Sequence, residues 1–162
     1  MASFTINNLN AGSQQSLSTS FKSLLSIGAA TGATTLRRVW ITECEWGPTD
    51  VPNATDCNVV FSIDPQTAAG TASALTPQPS DQGGGDAAAL AVYFANYSAE
   101  GTITASSSIF AKGINQRASD KQWWRDKATC PISAAVNLKG WTMRAKSTNY
   151  ASTYLAQASV EE

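Results

Sequence analysis

Residues that could carry chemistry are few in this sequence and lie far apart. Glu43 and Glu45 have the close spacing of a carboxylate pair, but they sit in a β-type segment that offers no partner for acid–base work. Their preferred interpretation is a solvated strand face. The chain contains no histidine, the residue behind most general-base chemistry at neutral pH and many zinc sites. We therefore expect no catalysis, no metal and no cofactor.

Gly83, Gly84 and Gly85 form a glycine run that invites comparison with a phosphate-binding loop. A P-loop requires the pattern GxxxxGK[ST] between a strand and a helix, and the lysine of that pattern is missing here. The run lies among alanine, serine and proline residues, so we interpret it as a flexible loop tip.

Cysteine usage gives no metal or redox motif. Cys44, Cys57 and Cys130 are an odd number of thiols without CxxC spacing. We interpret them as small buried hydrophobic residues. A disulfide between Cys44 and Cys57, across neighbouring strands, is the alternative that the sequence leaves open.

Arginine and tryptophan concentrate in one short region, at Arg117, Trp123, Trp124 and Arg125. Adjacent residues of a strand point to opposite faces, so one tryptophan can enter the core while the other meets solvent or a partner. Arginine and tryptophan are also the residue types enriched at interface hot spots. We predict that these four residues contact a partner. The alternative is that Trp123 fills the core and Arg117 makes an intramolecular hydrogen bond.

Short β-type segments with turn residues between them must position these side chains. They number about eight, and the clearest lie at 3–6, 18–27, 35–46, 57–63, 102–111, 131–136, 140–146 and 150–160. Segment 18–27 also fits helical spacing, and 91–97 fits either state. In 35–46, apolar residues of both parities predict a central strand covered on both faces. The pattern predicts an all-β fold, an antiparallel β-sandwich of Greek-key or jelly-roll type.

The chain length of 162 residues favours one domain, 1–162. Within it we predict an extended N-terminal segment, 1–34, and a long loop rich in Gly, Pro and Ala at 64–89, after a strand that ends at Ile63. That loop shows the clearest change of residue composition in the sequence.

The charge balance argues against nucleic acid and membrane partners. Eleven Lys and Arg stand against twelve Asp and Glu, and only 14% of residues are charged. No basic stripe is present for phosphate backbones, and no apolar run approaches the ~20 residues that a membrane helix needs.

The first residues lack the basic and apolar regions of a signal peptide, so we expect synthesis in a reducing cytoplasm. Low charge suits a protein that works packed into an assembly.

Several segments together resemble a known family. They are 68–90 (AAGTASALTPQPSDQGGGDAAAL), 114–119 (INQRAS), 123–125 (WWR) and a last strand closing in VEE. The set is similar to a family of small tailed-phage and prophage proteins encoded among virion structural genes, over residues 36–162. Here SDQGGGDAAA and DKQWWR replace the family's shorter forms.

The resemblance implies a β-sandwich cement, or decoration, protein of a bacteriophage capsid. Such a protein binds the major capsid protein, stabilises the head and lies on the outer capsid surface of the virion. Capsid symmetry favours a homodimer or homotrimer. Two alternatives stay open: a tail or head-fibre component, and a carbohydrate-binding β-sandwich, since five Trp and four Tyr could stack on sugars.

Overall fold

Two antiparallel β-sheets form the protein. The computed structural model describes residues 2–28, 37–81, 83, 88–136 and 139–162. This part of the chain contains twelve strands, β1 to β12, and its only helical elements are short 3-10 turns at Asn8–Ala11 and Ala105–Ser107. No helix in these described ranges has the length and apolarity needed to cross a membrane. The predicted all-β antiparallel sandwich is confirmed.

The first sheet has five strands. In spatial order they are β10 (Asp120–Trp123), β3 (Trp40–Pro48), β12 (Tyr154–Glu161), β1 (Ser3–Asn7) and β6 (Gln78–Pro79). Strands β10 and β6 therefore occupy its two edges. The predicted N-terminal segment 1–34 contributes β1 to the interior of this sheet, and residues 29–36 of that segment lie outside the described residues.

The second sheet has seven strands. Six lie in the order β5 (Thr71–Ala74), β7 (Tyr93–Ala99), β2 (Lys22–Ile27), β11 (Gly140–Ser147), β4 (Asn58–Ala68) and β8 (Thr102–Ile103). The seventh, β9 (Phe110–Asn115), pairs with the first half of β4. Segments 18–27 and 91–97, which fit either state by sequence, thus contribute strands.

The core lies between the sheets and follows the alternation of the strands. In β4, Val59, Phe61 and Ile63 point inward and are fully buried. Phe61 stacks on Trp46 of β3 with ring centroids 4.1 Å apart and planes 3° apart. Phe110 of β9 meets the Trp46 ring edge-on at 5.5 Å. This aromatic contact closes the sandwich where β9 and β10 form neighbouring edges.

Strand β3 is central, as predicted, but the prediction that both its faces are covered was wrong. The pairing with β12 shifts register between Ser159, opposite Glu43, and Val160, opposite Ile41, so Thr42 is an extra residue. A bulge of this kind moves the following side chains to the other face. Ile41 before the bulge and Cys44 after it therefore both face the same core, although their parities differ.

The segment 64–89 is structured over much of its length. Strand β4 does not end at Ile63 as predicted; it continues through Asp64 and Pro65 to Ala68. The segment then adds β5 to one sheet and β6 to the other. Gly84 and Gly85 of the predicted loop tip lie outside the described residues.

The seven-stranded sheet curls back on itself. Only two residues separate β4 from β5, and two separate β7 from β8, so each pair forms one bent strand. These bent strands pair with each other at both ends, through Ala68 with Thr102 and through Thr71 with Ala99. A Cβ on Gly101 would approach the carbonyl oxygen of Ala68 to 2.6 Å, so the crossing requires glycine there.

The curl covers a polar cluster on the side of the sheet away from the core. Ser26, Gln66, Tyr97 and Thr142 are all buried. The Ser26 hydroxyl donates to Gln66 Oε1 at 2.9 Å and lies 3.0 Å from Thr142 Oγ1, and the Tyr97 hydroxyl donates to Ser26. Burial raises the pKa of Tyr97 to about 12. These hydrogen bonds compensate the oxygen atoms of the cluster for their removal from water, whereas Gln66 Nε2 is buried without a partner among the described residues.

Two other predicted elements were wrong. Segment 102–111 is not one strand, because the 3-10 turn Ala105–Ser107 separates β8 from β9. Segment 131–136 makes only an isolated bridge, between Ile132 and Trp40.

The cysteines are three separate thiols, without the alternative disulfide. Cys44, Cys57 and Cys130 are buried, as expected of small hydrophobic residues. Burial raises the pKa of the Cys44 thiol to about 12, which keeps it protonated at neutral pH.

Candidate partner-contact surface

Edge strand β10 positions the two tryptophans on opposite faces. Its four residues pair with β3, with Trp123 opposite Glu43 and Asp120 opposite Trp46. Since Trp46 faces the core, Trp123, three residues further along β10 than Asp120, faces outward. Its side chain is 58% exposed, the most exposed aromatic group among the large hydrophobic residues of the described chain.

Trp124 follows directly and turns toward the core. Its backbone N–H donates to the carbonyl of Thr42 at 3.0 Å, which extends the contact with β3. Its ring meets Phe110 edge-on at 6.3 Å. One tryptophan thus packs inward while its neighbour meets solvent, as the alternation predicted. The alternative in which Trp123 fills the core was wrong.

Arg125 lies against the exposed tryptophan. Its guanidinium carbon is 5.5 Å from the centroid of the Trp123 ring, within the range of a cation–π interaction. Among the described residues the Arg125 guanidinium has this ring contact and no ion pair, so its N–H donors can serve a partner. Trp123 and Arg125 therefore form one composite surface.

Arg117 is not part of that surface. Its Nε donates to Asp56 Oδ1 at 2.6 Å and its Nη2 donates to the carbonyl oxygen of Asn53 at 3.0 Å. This hydrogen bond holds the pKa of Asp56 below its usual range. Arg117 precedes β10, whereas Trp123 ends it, so the strand separates the two. The intramolecular alternative for Arg117 is the arrangement observed.

Two further residues, Glu43 and Lys121, complete the surface around Trp123. Lys121 Nζ lies 2.8 Å from Glu43 Oε1, and this hydrogen bond raises the pKa of Lys121. With Trp123 they line an open depression of about 490 Å³. Sequence reasoning placed Glu43 on a solvated face but did not connect it with Trp123, because that contact depends on the register between β3 and β10.

The arrangement offers binding chemistry. It combines a large apolar ring, a guanidinium, a carboxylate and an ammonium group at one sheet edge. Within the described ranges, no group of three His, Cys, Asp or Glu side chains has the geometry to hold a metal ion. We name Glu43, Lys121, Trp123 and Arg125 the Trp123 surface.

Comparison with known proteins gives no relative from which a role could be transferred. No protein-family model, no curated protein and no solved structure matches the chain.

Proposed function

We propose that this chain is a virion structural protein of a tailed bacteriophage, a cement protein that binds the major capsid protein and stabilises the head. The observation that carries the proposal is the Trp123 surface, an exposed tryptophan with a stacked arginine on a rigid β-sandwich. The low charged fraction, 14%, and the resemblance of segments 68–90, 114–119 and 123–125 to phage virion proteins support the same role.

Trp123 has the properties of an interface anchor. A tryptophan side chain carries about 200 Å² of surface, and 58% of this one is exposed. Covering roughly 100 Å² of apolar area would contribute about 2–3 kcal/mol to binding. Because Arg125 is already stacked on the ring, less side-chain entropy is lost when a partner binds. A repeated shell multiplies such a contact over many copies.

The direct test is to locate the protein on the particle by cryo-electron microscopy. We expect density on the outer head surface, in hundreds of copies, with Trp123 against the major capsid protein. Density confined to the tail, or a copy number in the tens, would contradict the proposal and favour a tail or head-fibre component.

A binding assay isolates the role of the surface. Heads lacking the protein are mixed with purified wild type, with Trp123→Ala or with Val51→Ala, and bound protein is quantified after sedimentation. Val51 is the matched control because it is 80% exposed and lies in another part of the molecule, the loop after β3. We expect Trp123→Ala alone to lose binding; equal binding by all three proteins would contradict the proposed anchor.

A carbohydrate-binding module is the second candidate, favoured by one observation. The depression of about 490 Å³ joins the exposed Trp123 ring to the polar groups of Glu43 and Lys121. An indole face can stack on a sugar ring while such groups bind its hydroxyls. A glycan array on which wild type binds and Trp123→Ala does not would support this function, and an array without any bound glycan would remove it.

A further inference from the structure

Most basic side chains of this protein already have a partner. Five of the eleven form ion pairs: Lys112, Arg117, Lys121, Lys127 and Arg144. Arg125 and Lys146 lie over aromatic rings. The other four have neither an ion pair nor a cation–π contact among the described residues: Lys22, Arg37, Arg38 and Lys139.

Three of these four residues have their backbones at one end of the sandwich, around Ser133. Val39, which directly follows Arg38, donates its N–H to Ser133 Oγ at 3.1 Å, and Ser133 N–H donates back to the Val39 carbonyl at 2.9 Å. A Cβ built on Gly28 would lie 2.8 Å from Ser133 Oγ and 3.8 Å from the carbonyl oxygen of Lys139. The backbones that carry Arg37, Arg38 and Lys139 are therefore neighbours, and all three residues are exposed.

The acidic groups near this end are already engaged. The Glu162 carboxylate accepts hydrogen bonds from the N–H groups of Leu90 and Ala91 and from the Tyr93 hydroxyl, each between 2.8 and 3.2 Å. Glu161 forms an ion pair with Lys127. Glu161 is neutralised by Lys127, and Glu162 keeps its charge but is held by neutral donors, so the three cations outnumber the negative charge that these two carboxylates leave.

A depression next to the cations could receive a side chain. It measures about 250 Å³, and its lining includes Pro65, Ile132, Ser133, Lys139 and Trp141. The Trp141 indole N–H is buried and has no hydrogen-bond acceptor in the described structure.

We propose that this end, defined by Arg37, Arg38, Ser133, Lys139 and Trp141 and called the basic end, binds an acidic peptide segment of a partner protein. Carboxylates of the segment pair with the three cations, and an apolar side chain between them enters the depression. Three cations are too few for the phosphate track that non-specific nucleic-acid binding uses. The basic end is distinct from the Trp123 surface, so the inference goes beyond the proposed function and gives the protein a second contact.

The test uses the isolated, ¹⁵N-labelled full chain and a synthetic peptide of acidic residues with one central leucine. Backbone amide shifts are followed during titration at low salt. We expect the shifts to gather at 37–39, 132–134 and 139–141. Affinity should fall by roughly tenfold between 50 and 500 mM NaCl, because salt screens exposed charges.

Charge-reversal variants identify the site. Arg38→Glu with Lys139→Glu should weaken peptide binding by about tenfold or more. Lys22→Glu is the matched control, since Lys22 also has no ion pair among the described residues but lies at the other end of β2, roughly 20 Å from Gly28 at ~3.3 Å per residue. We expect Lys22→Glu to change affinity by less than about twofold. If the double reversal disturbs folding, Arg38→Gln with Lys139→Gln removes the same charges with a smaller perturbation.

Several results would overturn the proposal. They are the absence of shifts at millimolar peptide, shifts centred on Trp123, equal weakening by Lys22→Glu, and tighter binding of a single-stranded oligonucleotide through the same amides. Because the titration needs no phage particle, its failure would leave the cement role untouched. Failure of the particle experiments would likewise leave the basic end untouched.

Discussion

The buried ion pair between Asp64 and Arg144 gives the sharpest prediction for stability. The Asp64 side chain is 1% exposed and that of Arg144 is 13% exposed, with Arg144 Nη1 3.0 Å from Asp64 Oδ2. Asp64 also accepts hydrogen bonds from Ser62, at 2.7 Å, and from Ser108. The substitution Asp64→Asn keeps the shape of the side chain and removes its charge. It leaves the Arg144 guanidinium without a counter-ion in a largely dry environment.

The expected cost follows from that burial. Removing one partner of a buried pair costs about 3–5 kcal/mol. We expect the lower end, about 3 kcal/mol, because Arg144 retains some solvent contact and its guanidinium carbon lies 4.8 Å from the centroid of the Phe21 ring. For a domain of this size that loss lowers the melting temperature by roughly 6–12 °C. It would remove a large part of a typical stability of about 5–15 kcal/mol.

Urea unfolding followed by tryptophan fluorescence measures the effect. Asp56→Asn is the matched control, because it makes the same chemical change in the exposed Arg117–Asp56 pair. We expect no resolvable change in its free energy of unfolding, since exposed pairs contribute little. The double variant Asp64→Asn with Arg144→Met should recover most of the loss, since it leaves no unpaired charge. A cost for Asp64→Asn below about 1 kcal/mol, or equal to that of Asp56→Asn, would refute the reasoning.

Four further substitutions have expected outcomes. In urea unfolding, Trp123→Ala should stay within about 0.5 kcal/mol of wild type, whereas Trp124→Ala should lose roughly 2–3 kcal/mol of packing; the reverse order would contradict the burial of the two rings. Burial raises the pKa of Cys44 from 9.0 to about 12, so above pH 9 the unfolded chain releases a proton that the folded chain keeps, and stability falls as pH rises toward 12. Cys44→Ala should remove a slope of about 1.4 kcal/mol per pH unit from the urea profile, and an unchanged slope would count against the assignment. Glu162→Gln should weaken the acceptor of the Leu90 N–H and speed its amide exchange, which NMR measures; unchanged protection would show that the contact contributes nothing.

The sandwich could be predicted from side-chain alternation, because one buried and one solvated face leave a period of two in the sequence. Segments 3–6 and 140–146 show this, and they became β1 and β11 with small changes of boundary. The bulge at Thr42 hid the same signal in β3, since the change of parity resembles a strand buried on both faces. An inserted residue becomes visible only through its pairing with β12.

Predictions from local turn and strand preferences were wrong where pairing with distant strands decides the structure. Asp64 and Pro65 have the local preference for a turn, yet Asp64 pairs with Arg144 on β11 and Pro65 lies opposite Trp141 in the ladder. Conversely, segment 102–111 has the composition of a strand. Ile103 pairs with Gln66 and Phe110 with Ile63, so seven residue steps span a distance that β4 covers in three. The extra residues leave the ladder and form the 3-10 turn Ala105–Ser107.

The candidate site was predictable in part. The Trp123–Trp124 dipeptide required one inward and one outward ring, and both were found. Which ring faces the core depends on the register of β10 against β3, a tertiary property without a local signal. The basic end was not predictable at all, because Arg38 and Lys139 are about a hundred positions apart in the sequence and meet only through Ser133.

The positions of β11 and β12 govern how the protein can fold during synthesis. Strand β11 lies between β2 and β4, and strand β12 lies between β1 and β3, so residues 140–161 supply a central strand to each sheet. A nascent chain that ends before residue 140 leaves both sheets split, with the edges of β1 to β4 exposed. Non-local pairing of this kind makes folding slow and leaves unpaired edges open to aggregation. Neither sheet can therefore be completed until residues 140–161 have been synthesised, and shorter nascent chains should depend on chaperones.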